Sequence, residues 1–335
     1  MGGLQSVLVT GGAGYIGSYA CKVLARVGYR PVVFDNLSRG HREAVRWGPF
    51  VQGDLADREA LATALRSYQV SAVMHFAAYA YVGESVDDPA TYYRNNLGGS
   101  LALLDAMREV GVNKIVFSST CATYGTPNDV PIRETAPQLP VNPYGETKLA
   151  IERALHWYGE AYGLRSVSLR YFNAAGADPE GEIGELHEPE THLIPLVLQA
   201  ALGERGHIDI YGTDYPTRDG TAIRDYVHVE DLAQAHLRAL EYLRAGRPTA
   251  AFNLGTGSGH SVREVVAVAE ALSGHPIRRR ATARRPGDPP ALVADPSLAA
   301  ELLDWRTRHS DLNTIIGTSL LWHKSLLDKR TRTSV

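Results

Sequence analysis

Cysteine is scarce: Cys21 and Cys121 are the only two in 335 residues. That excludes a disulfide framework, and two thiols alone make no metal site, so no metal is expected. Long apolar runs are absent as well. No stretch reaches the length a bilayer span needs, and the N-terminus lacks a basic-then-apolar signal. A cytoplasmic protein with no membrane partner is expected. Charge of one sign is also lacking. Formal net charge is -3, which leaves no global electrostatic case for nucleic acid. No repeat or low-complexity segment appears. What remains is ordinary globular composition, 44% hydrophobic and 21% charged, long enough for one large or two smaller domains.

The first feature that is present is a strand, a glycine turn and a helix. Ser6 to Thr10 is apolar and β-rich. It runs into Gly11, Gly14 and Gly17, spaced G-x-x-G-x-x-G, and then into a helical stretch to about Val27. In that context the glycines permit a tight turn and leave helix-terminal amides for a pyrophosphate. Pro31 to Phe34 reads as a second strand ending at Asp35, about twenty residues past the glycines, where a carboxylate accepts from a ribose diol and repels a 2′-phosphate. That spacing favours NAD over NADP. Phe50 to Leu55 reads as a third short strand reaching the adenine side. Asp57 to Ser67 reads as a helix with Asp57 as N-cap. Ala72 to Ala78 is a buried strand whose small end residues, Ala77 and Ala78, let a cofactor lie close; His75 within it reads as a packed histidine.

Pro89 to Val110 reads as one long helix carrying a solvated Asn95–Asn96 pair. Lys114 to Thr120 is the next strand. The strand–helix alternation predicts an α/β fold with a doubly wound parallel sheet, whose ligands sit outside the carboxyl ends of the strands. Tyr144 and Lys148 follow, four residues apart on a helix and therefore on one face. A nearby ammonium favours the phenolate, which would make Tyr144 a proton acceptor at neutral pH. Thr120 closes the preceding strand at the same sheet edge.

Together these stretches resemble the extended short-chain dehydrogenase/reductase superfamily and, within it, the UDP-sugar 4-epimerases. The markers are TGGAGYIG (Thr10 to Gly17), Asp54, HFAA (His75 to Ala78), SSTCATYG (Ser118 to Gly125), NPYGETK (Asn142 to Lys148) and LRYFNAAG (Leu169 to Gly176). YVGES (Tyr81 to Ser85), DYPTRDGTAIRDYVHV (Asp214 to Val229) and NLGTG (Asn253 to Gly257) point to the subgroup. The resemblance implies a Rossmann domain and a smaller C-terminal domain for the nucleotide-sugar. The change falls near residue 175, where Gly176 to Pro189 turns rich in Gly, Pro and acid. The expected division is 1–175, with elements returning from about 220–255, then 176–330 and a tail at 331–335; the polar, charged stretch Asp328 to Val335 is expected to fray.

The resemblance also implies roles. Thr120 would hydrogen-bond the sugar hydroxyl being oxidised, Tyr144 would exchange its proton, and Lys148 would hold the nicotinamide ribose. Tyr15, Ile16, Asp35, Asn36, Asp54, Leu55, Phe76, Ala77, Asn95 and Phe172 match NAD contacts. On the substrate side, Asn173 meets the pyrophosphate–sugar region and Ile210 and Tyr211 line the uracil. Arg224 and Arg285 carry the diphosphate, Asp288 takes the uridine ribose, and Leu292 gates the sugar pocket. Forked arginine contacts suit phosphate, and an aromatic gives the base a flat partner. Arg278, Arg279, Arg280 and Arg284 read as solvated neighbours of Arg285. Two positions depart from the pattern: Ala80, where some epimerases carry lysine, and His192, where several carry asparagine.

The implied activity is reversible C4 epimerisation of a UDP-hexose, UDP-glucose to UDP-galactose, with tightly bound NAD. The pentose version, UDP-xylose to UDP-arabinose, stays open. Dehydratases of the same fold place acidic residues just after the Ser/Thr; here Cys121 and Ala122 follow Thr120. A non-enzymatic NAD-sensing protein could dispense with Tyr144 and Lys148, and this chain retains both. A homodimer through helices 89–110 and 146–162 is implied as well.

Overall fold

The structure, a computed structural model, describes residues 4–285 and 287–333. Seven parallel strands form the central sheet: β1 (Ser6–Thr10), β2 (Arg30–Asp35), β3 (Phe50–Gln52), β4 (Val70–His75), β5 (Lys114–Thr120), β6 (Arg165–Tyr171) and β7 (Ala250–Leu254). Their order is β7-β6-β5-β4-β1-β2-β3. Both faces are covered, so the strands are apolar on both sides. Val7, Val9, Met74 and Val116 face one core, while Leu8, Val73, Ile115 and Phe117 face the other. The first core is closed by α1 (Tyr15–Arg26) and a later helix that returns to the sheet, Val229–Arg244. The second is closed by α2 (Arg58–Ser67), α3 (Gly99–Val110) and α4 (Pro143–Tyr162).

The strand order reverses beside β1, between β4 and β2. That makes the crevice over the carboxyl ends of these strands the place for a ligand. Register brings Thr10 opposite His75, His75 opposite Phe117, and Thr120 opposite Tyr171 at that edge.

The rest of the chain builds short strand pairs around a third core. α5 (Leu193–Ala201) comes first in sequence, the returning helix Val229–Arg244 is α6, and α7 (Val262–Ser273) and α8 (Leu312–Thr333) follow. Ile194, Val197 and Leu198 of α5 pack with Val265 and Val266 of α7 and Ile315 and Ile316 of α8. Ile208–Tyr211 pairs with Arg279–Thr282, and Ile223–Arg224 lies between His260–Ser261 and Ala291–Leu292.

Two sequence expectations change here. The long helix over 89–110 is broken: helix Pro89–Tyr92 meets a π-turn at Tyr93–Gly98 before α3 begins. The wider turn carries Asn96 inward, where it is fully buried rather than solvated. Its side chain accepts from Tyr79 N at 2.8 Å and donates to Tyr79 O at 3.0 Å and to Thr147 Oγ1 at 3.3 Å. A π-turn inside a helix commonly marks a functional position. α8 also continues to Thr333, helical where a frayed tail was expected; Ser334 and Val335 lie outside the described residues.

Candidate active site

The helix that carries Tyr144 begins with a strong start signal. Asn142 caps it, accepting from Gly145 N at 2.9 Å, and Pro143 occupies the first turn. Gly145 then permits close approach: a Cβ there would lie 2.6 Å from the carbonyl oxygen of Ala122. That seats the first turn of α4 against the residues following Thr120. Thr120 ends β5 and accepts from Ala122 N at 3.1 Å, starting the short turn Cys121–Tyr124. The Thr120 side chain adjoins the Tyr144 phenol closely enough to favour its ionised form. Lys148, one turn on, donates to the carbonyl of Ser118 at 2.8 Å and lies 5.9 Å from the centroid of the Tyr144 ring. The structure thus brings the three residues to one edge of the sheet.

The electrostatics of the protein alone differ from the expected ammonium–phenolate pair. Burial pushes Tyr144 well above the ordinary phenol range, and nearby Tyr171 adds to this; the Thr120 side chain opposes it. Burial likewise pulls Lys148 down to about 7, against the pull of Glu152. Desolvation dominates because Lys148 is only 3% exposed and Tyr144 9%. Both groups are therefore poised towards their neutral forms.

Below them is a buried network that sequence reading missed. Glu152 lies one further turn along α4, on the stripe of Tyr144 and Lys148. It accepts from Ser119 Oγ at 2.5 Å and from Arg170 Nη2 at 2.6 Å, and both members of the ion pair are 8% exposed. Arg170 Nη1 donates to Tyr124 Oη at 2.9 Å, and Tyr124 donates to Asn253 Oδ1 at 2.7 Å. This ties β5, β6, α4 and the NLGTG segment under the site. The i+4 spacing from Lys148 was the available signal for Glu152; nothing in the sequence pointed to Arg170.

The glycine turn fits a dinucleotide. A Cβ at Gly11, φ +72°, would lie 2.6 Å from Ala77 N, and one at Gly17 would lie 2.2 Å from Gly11 O. Gly14 caps α1 without a side chain, leaving amides exposed to an anion. Asp35 accepts from Ala13 N at 3.0 Å and Leu37 N at 2.8 Å, which fixes its carboxylate at the end of β2. Each oxygen keeps a second acceptor site for a ribose hydroxyl. Burial raises Asp35 and those two amides oppose it. Asn36 Nδ2 donates to Asp54 Oδ2 at 2.7 Å, and Asn95 Nδ2 to Asn96 Oδ1 at 2.9 Å. Phe76 packs on His236 with ring centroids 4.5 Å apart. Tyr15 Oη donates to Gly176 O at 2.5 Å, linking the turn to the chain beyond β6. His75 is a packing residue: its two nitrogens bond Thr10 Oγ1 at 2.6 Å and Ser100 Oγ at 2.8 Å, and burial lowers it to about 3. Ile16, Leu55, Ala78 and Phe172 are apolar, and Leu55 and Phe172 are buried.

The expected substrate residues lie on the short strands. Buried Asp225 organises them. Its carboxylate accepts from Thr256 N, Thr256 Oγ1 and Ala294 N at 2.9, 2.7 and 3.2 Å, and its carbonyl accepts from Asn173 N at 3.0 Å. Arg224 pairs with Asp288. Arg285 stands 4.1 Å over the exposed ring of Tyr211, beside buried Ile210. Arg279, Arg280 and Arg284 pair instead with Glu270, Asp209 and Asp214. Leu292 packs against a small core of Cys121, Tyr124, Ile132, Phe172 and Ala294, so the gate position borders the turn after Thr120. His192 faces elsewhere, towards Glu185 and Glu190.

A dinucleotide turn on a parallel sheet, with Thr, Tyr and Lys at its carboxyl edge, defines an enzyme of the short-chain dehydrogenase/reductase type. The profile of the NAD dependent epimerase/dehydratase family matches residues 7–255, and the chain belongs to that family. It is 54% identical over 319 residues to a UDP-glucose 4-epimerase of Rhizobium leguminosarum bv. trifolii, covering 95% of this chain and 97% of the relative. The fold matches a crystal structure of UDP-glucose 4-epimerase from Brucella ovis in complex with NAD. That match has TM-score 0.93 and 56% identity, covering 95% of this chain and 98% of the other. It also matches a UDP-glucose-4-epimerase of Stenotrophomonas maltophila solved with bound NAD and formylated UDP-arabinopyranose. There the TM-score is 0.94 at 40% identity, covering 97% and 99% of the two chains.

Proposed function

We propose that the protein catalyses reversible inversion at C4 of a UDP-sugar, UDP-glucose and UDP-galactose, through a 4-keto sugar. The observation that carries this reading is the convergence of Thr120, Tyr144 and Lys148 at the sheet edge beside a glycine turn that admits a dinucleotide. NAD, when bound, supplies a reversible hydride acceptor that is regenerated within each cycle. Tyr144 Oη takes the proton of the C4 hydroxyl and returns it, while Thr120 orients that hydroxyl by hydrogen bonding. Lys148 holds the cofactor ribose and supplies positive charge to the phenol once the ribose and sugar fill the site. Arg224, Arg285 and Asp288 grip the uridine diphosphate, remote from the reacting carbon, so the sugar can turn about its diphosphate link without leaving. Asn173, Ile210 and Tyr211 complete the nucleotide site.

Cys121 supports epimerisation over dehydration. It stands where a dehydratase carries an acid, and burial pushes its thiol up to about 12, so it is a poor proton donor. The formylated UDP-arabinopyranose bound to the Stenotrophomonas relative, a modified pentose, favours a second reading, pentose epimerisation by the same chemistry. In this scheme residues 1–175, with α6 and β7, hold NAD, and residues 176–330 mainly hold the sugar nucleotide. Exposed Tyr93, Trp157 and Tyr162 on the two helical segments suit a homodimer face. Among the described residues no helix is long and apolar enough to cross a membrane, consistent with the cytoplasmic setting we assign.

The test is incubation of purified protein with UDP-glucose, UDP-galactose, UDP-xylose and UDP-GlcNAc without added NAD, with products resolved by NMR. Conversion of the UDP-hexoses is expected. Tyr144→Phe should still bind UDP-sugar but lose about 10²–10⁴-fold in turnover, the size of a general acid–base contribution. Undiminished turnover would remove the proton-transfer role.

A further inference from the structure

Away from that site, four side chains from Glu185-Leu186-His187-Glu188-Pro189-Glu190-Thr191-His192 converge. Glu185, His187, Glu190 and His192 each offer one ligand atom, and these atoms all lie within 4.8 Å of one another. His187 Nδ1 is 3.2 Å from Glu185 Oε1 and 3.7 Å from Glu190 Oε2. His192 Nδ1 is 3.0 Å from Glu185 Oε1 and 2.8 Å from Glu190 Oε1. We propose that these four residues form a structural binding site for a divalent transition-metal cation, zinc by the chemistry of its donors.

The separations are those of a coordination shell. With metal–ligand bonds of about 2.0–2.1 Å, the edges of a tetrahedron are about 3.3 Å. The four imidazole–carboxylate separations, 2.8 to 3.7 Å, bracket that length, with Glu190 presenting Oε2 to His187 and Oε1 to His192. His187 Nδ1 gives an independent indication. That atom is out of contact with solvent and makes no hydrogen bond, although the side chain is 21% exposed and a carboxylate oxygen lies 3.2 Å away. The phenol of Tyr81, whose ring centroid is 5.8 Å from that of His187, is likewise buried without a partner.

Charge points the same way. The side chains of Glu185 and Glu190 are each 8% exposed, and two carboxylates so buried need compensating positive charge, which a bound cation or protonated His187 and His192 can supply. Arg39, which reaches the carbonyl of Glu188, pairs with Glu84 instead. Two imidazoles and two carboxylates suit zinc, whereas calcium and magnesium prefer oxygen alone. The donor set is also oriented from outside. Glu190 Oε1 accepts from Thr191 N at 2.7 Å and His192 N at 2.8 Å. A cavity of about 250 Å³, lined in part by Glu185, His187, Glu190 and His323, gives an ion a way in.

Four protein ligands close the shell, which marks a structural rather than a catalytic metal. The ion would fasten the segment after β6 to α5, since His192 is the residue at which α5 starts. That segment also touches the dinucleotide side: His41 Nε2 meets Leu186 O at 3.0 Å, and Tyr15 Oη reaches Gly176 O. Metal binding there would hold the loop over the glycine turn without entering the reaction, so this site stands or falls separately from the epimerase reading.

The experiment uses the full chain. Protein stripped with chelator is titrated with ZnCl2 by calorimetry, with CoCl2 by visible absorption, and with MgCl2 as control. Uptake of one zinc per chain, four-coordinate cobalt bands and no magnesium binding are expected. At free zinc one hundred times Kd, the unfolding equilibrium constant should fall about a hundredfold. His187→Gln and His192→Asn should each abolish stoichiometric uptake, with folding checked by circular dichroism. If the wild-type chain takes up no stoichiometric zinc or cobalt, or if the folded variants bind as well as wild type, the site is an imidazolium–carboxylate network and the proposal fails. Should a variant not fold, the wild-type titrations still decide.

Discussion

The Glu152–Arg170 pair is the best single place to test how the site is supported. Glu152 accepts from Arg170, Ser119 and Gln138, and its charge is the group that raises Lys148 against burial. Removing one partner leaves the other as an uncompensated buried charge, which costs about 3–5 kcal/mol. At about 2.1 cal/mol/K per residue, a 335-residue chain has an unfolding entropy near 0.7 kcal/mol/K, so the expected loss in Tm is about 4–7 °C. Glu152→Gln and Arg170→Met should each show it in thermal unfolding followed by circular dichroism. The double variant removes both charges, and its loss should fall short of the sum by about 2–3 kcal/mol. Glu152→Gln alone should also pull Lys148 lower and move the basic limb of the rate profile, which Arg170→Met should not. Losses below about 1 kcal/mol, or strict additivity in the double variant, would refute a buried charge pair as the support under Lys148.

Three further outcomes are expected. Lys148 sits near 7 in the folded chain against 10.5 ordinarily, so between those values the unfolded chain binds more protons and stability rises with pH. The difference between wild type and Lys148→Met should therefore change by up to about 1.4 kcal/mol per pH unit across that window, and a flat difference would contradict the burial effect. Gly17→Ala places a Cβ 2.2 Å from Gly11 O; it should cost about 1–3 kcal/mol and strip co-purifying NAD, measured by absorbance after denaturation, and full retention would exclude the turn as the pyrophosphate cradle. With Leu292 as the proposed gate of the sugar pocket, UDP-GlcNAc should turn over poorly, and Leu292→Gly should raise its kcat/KM relative to UDP-glucose by about 10–200-fold. An unchanged ratio would remove Leu292 as the gate.

Much of this protein could be read from its residues because local rules wrote it. Apolar runs bounded by glycine and asparagine set the strands and α4. The same short-range grammar placed Gly11, Asp35, Thr120, Tyr144 and Lys148 at strand and helix ends that a parallel sheet gathers at one edge. Four-residue spacing put Tyr144 and Lys148 on one face, and applied once more it would have shown Glu152. What sequence periodicity could not supply was environment. Asn96 turns inward because a π-turn shifts the helix register, a tertiary outcome of packing against Tyr79 and Thr147. The protonation of Tyr144 and Lys148 followed burial rather than their mutual attraction, because solvent exclusion depends on every neighbour and not on spacing. Arg170 comes from β6 and Asp225 from a distant link between two short strands, and His187 meets Glu185 and Glu190 only because the segment after β6 folds back towards the glycine turn. Spacing along the chain decided which groups could meet. Packing alone decided which of them lost water, and so which carry charge.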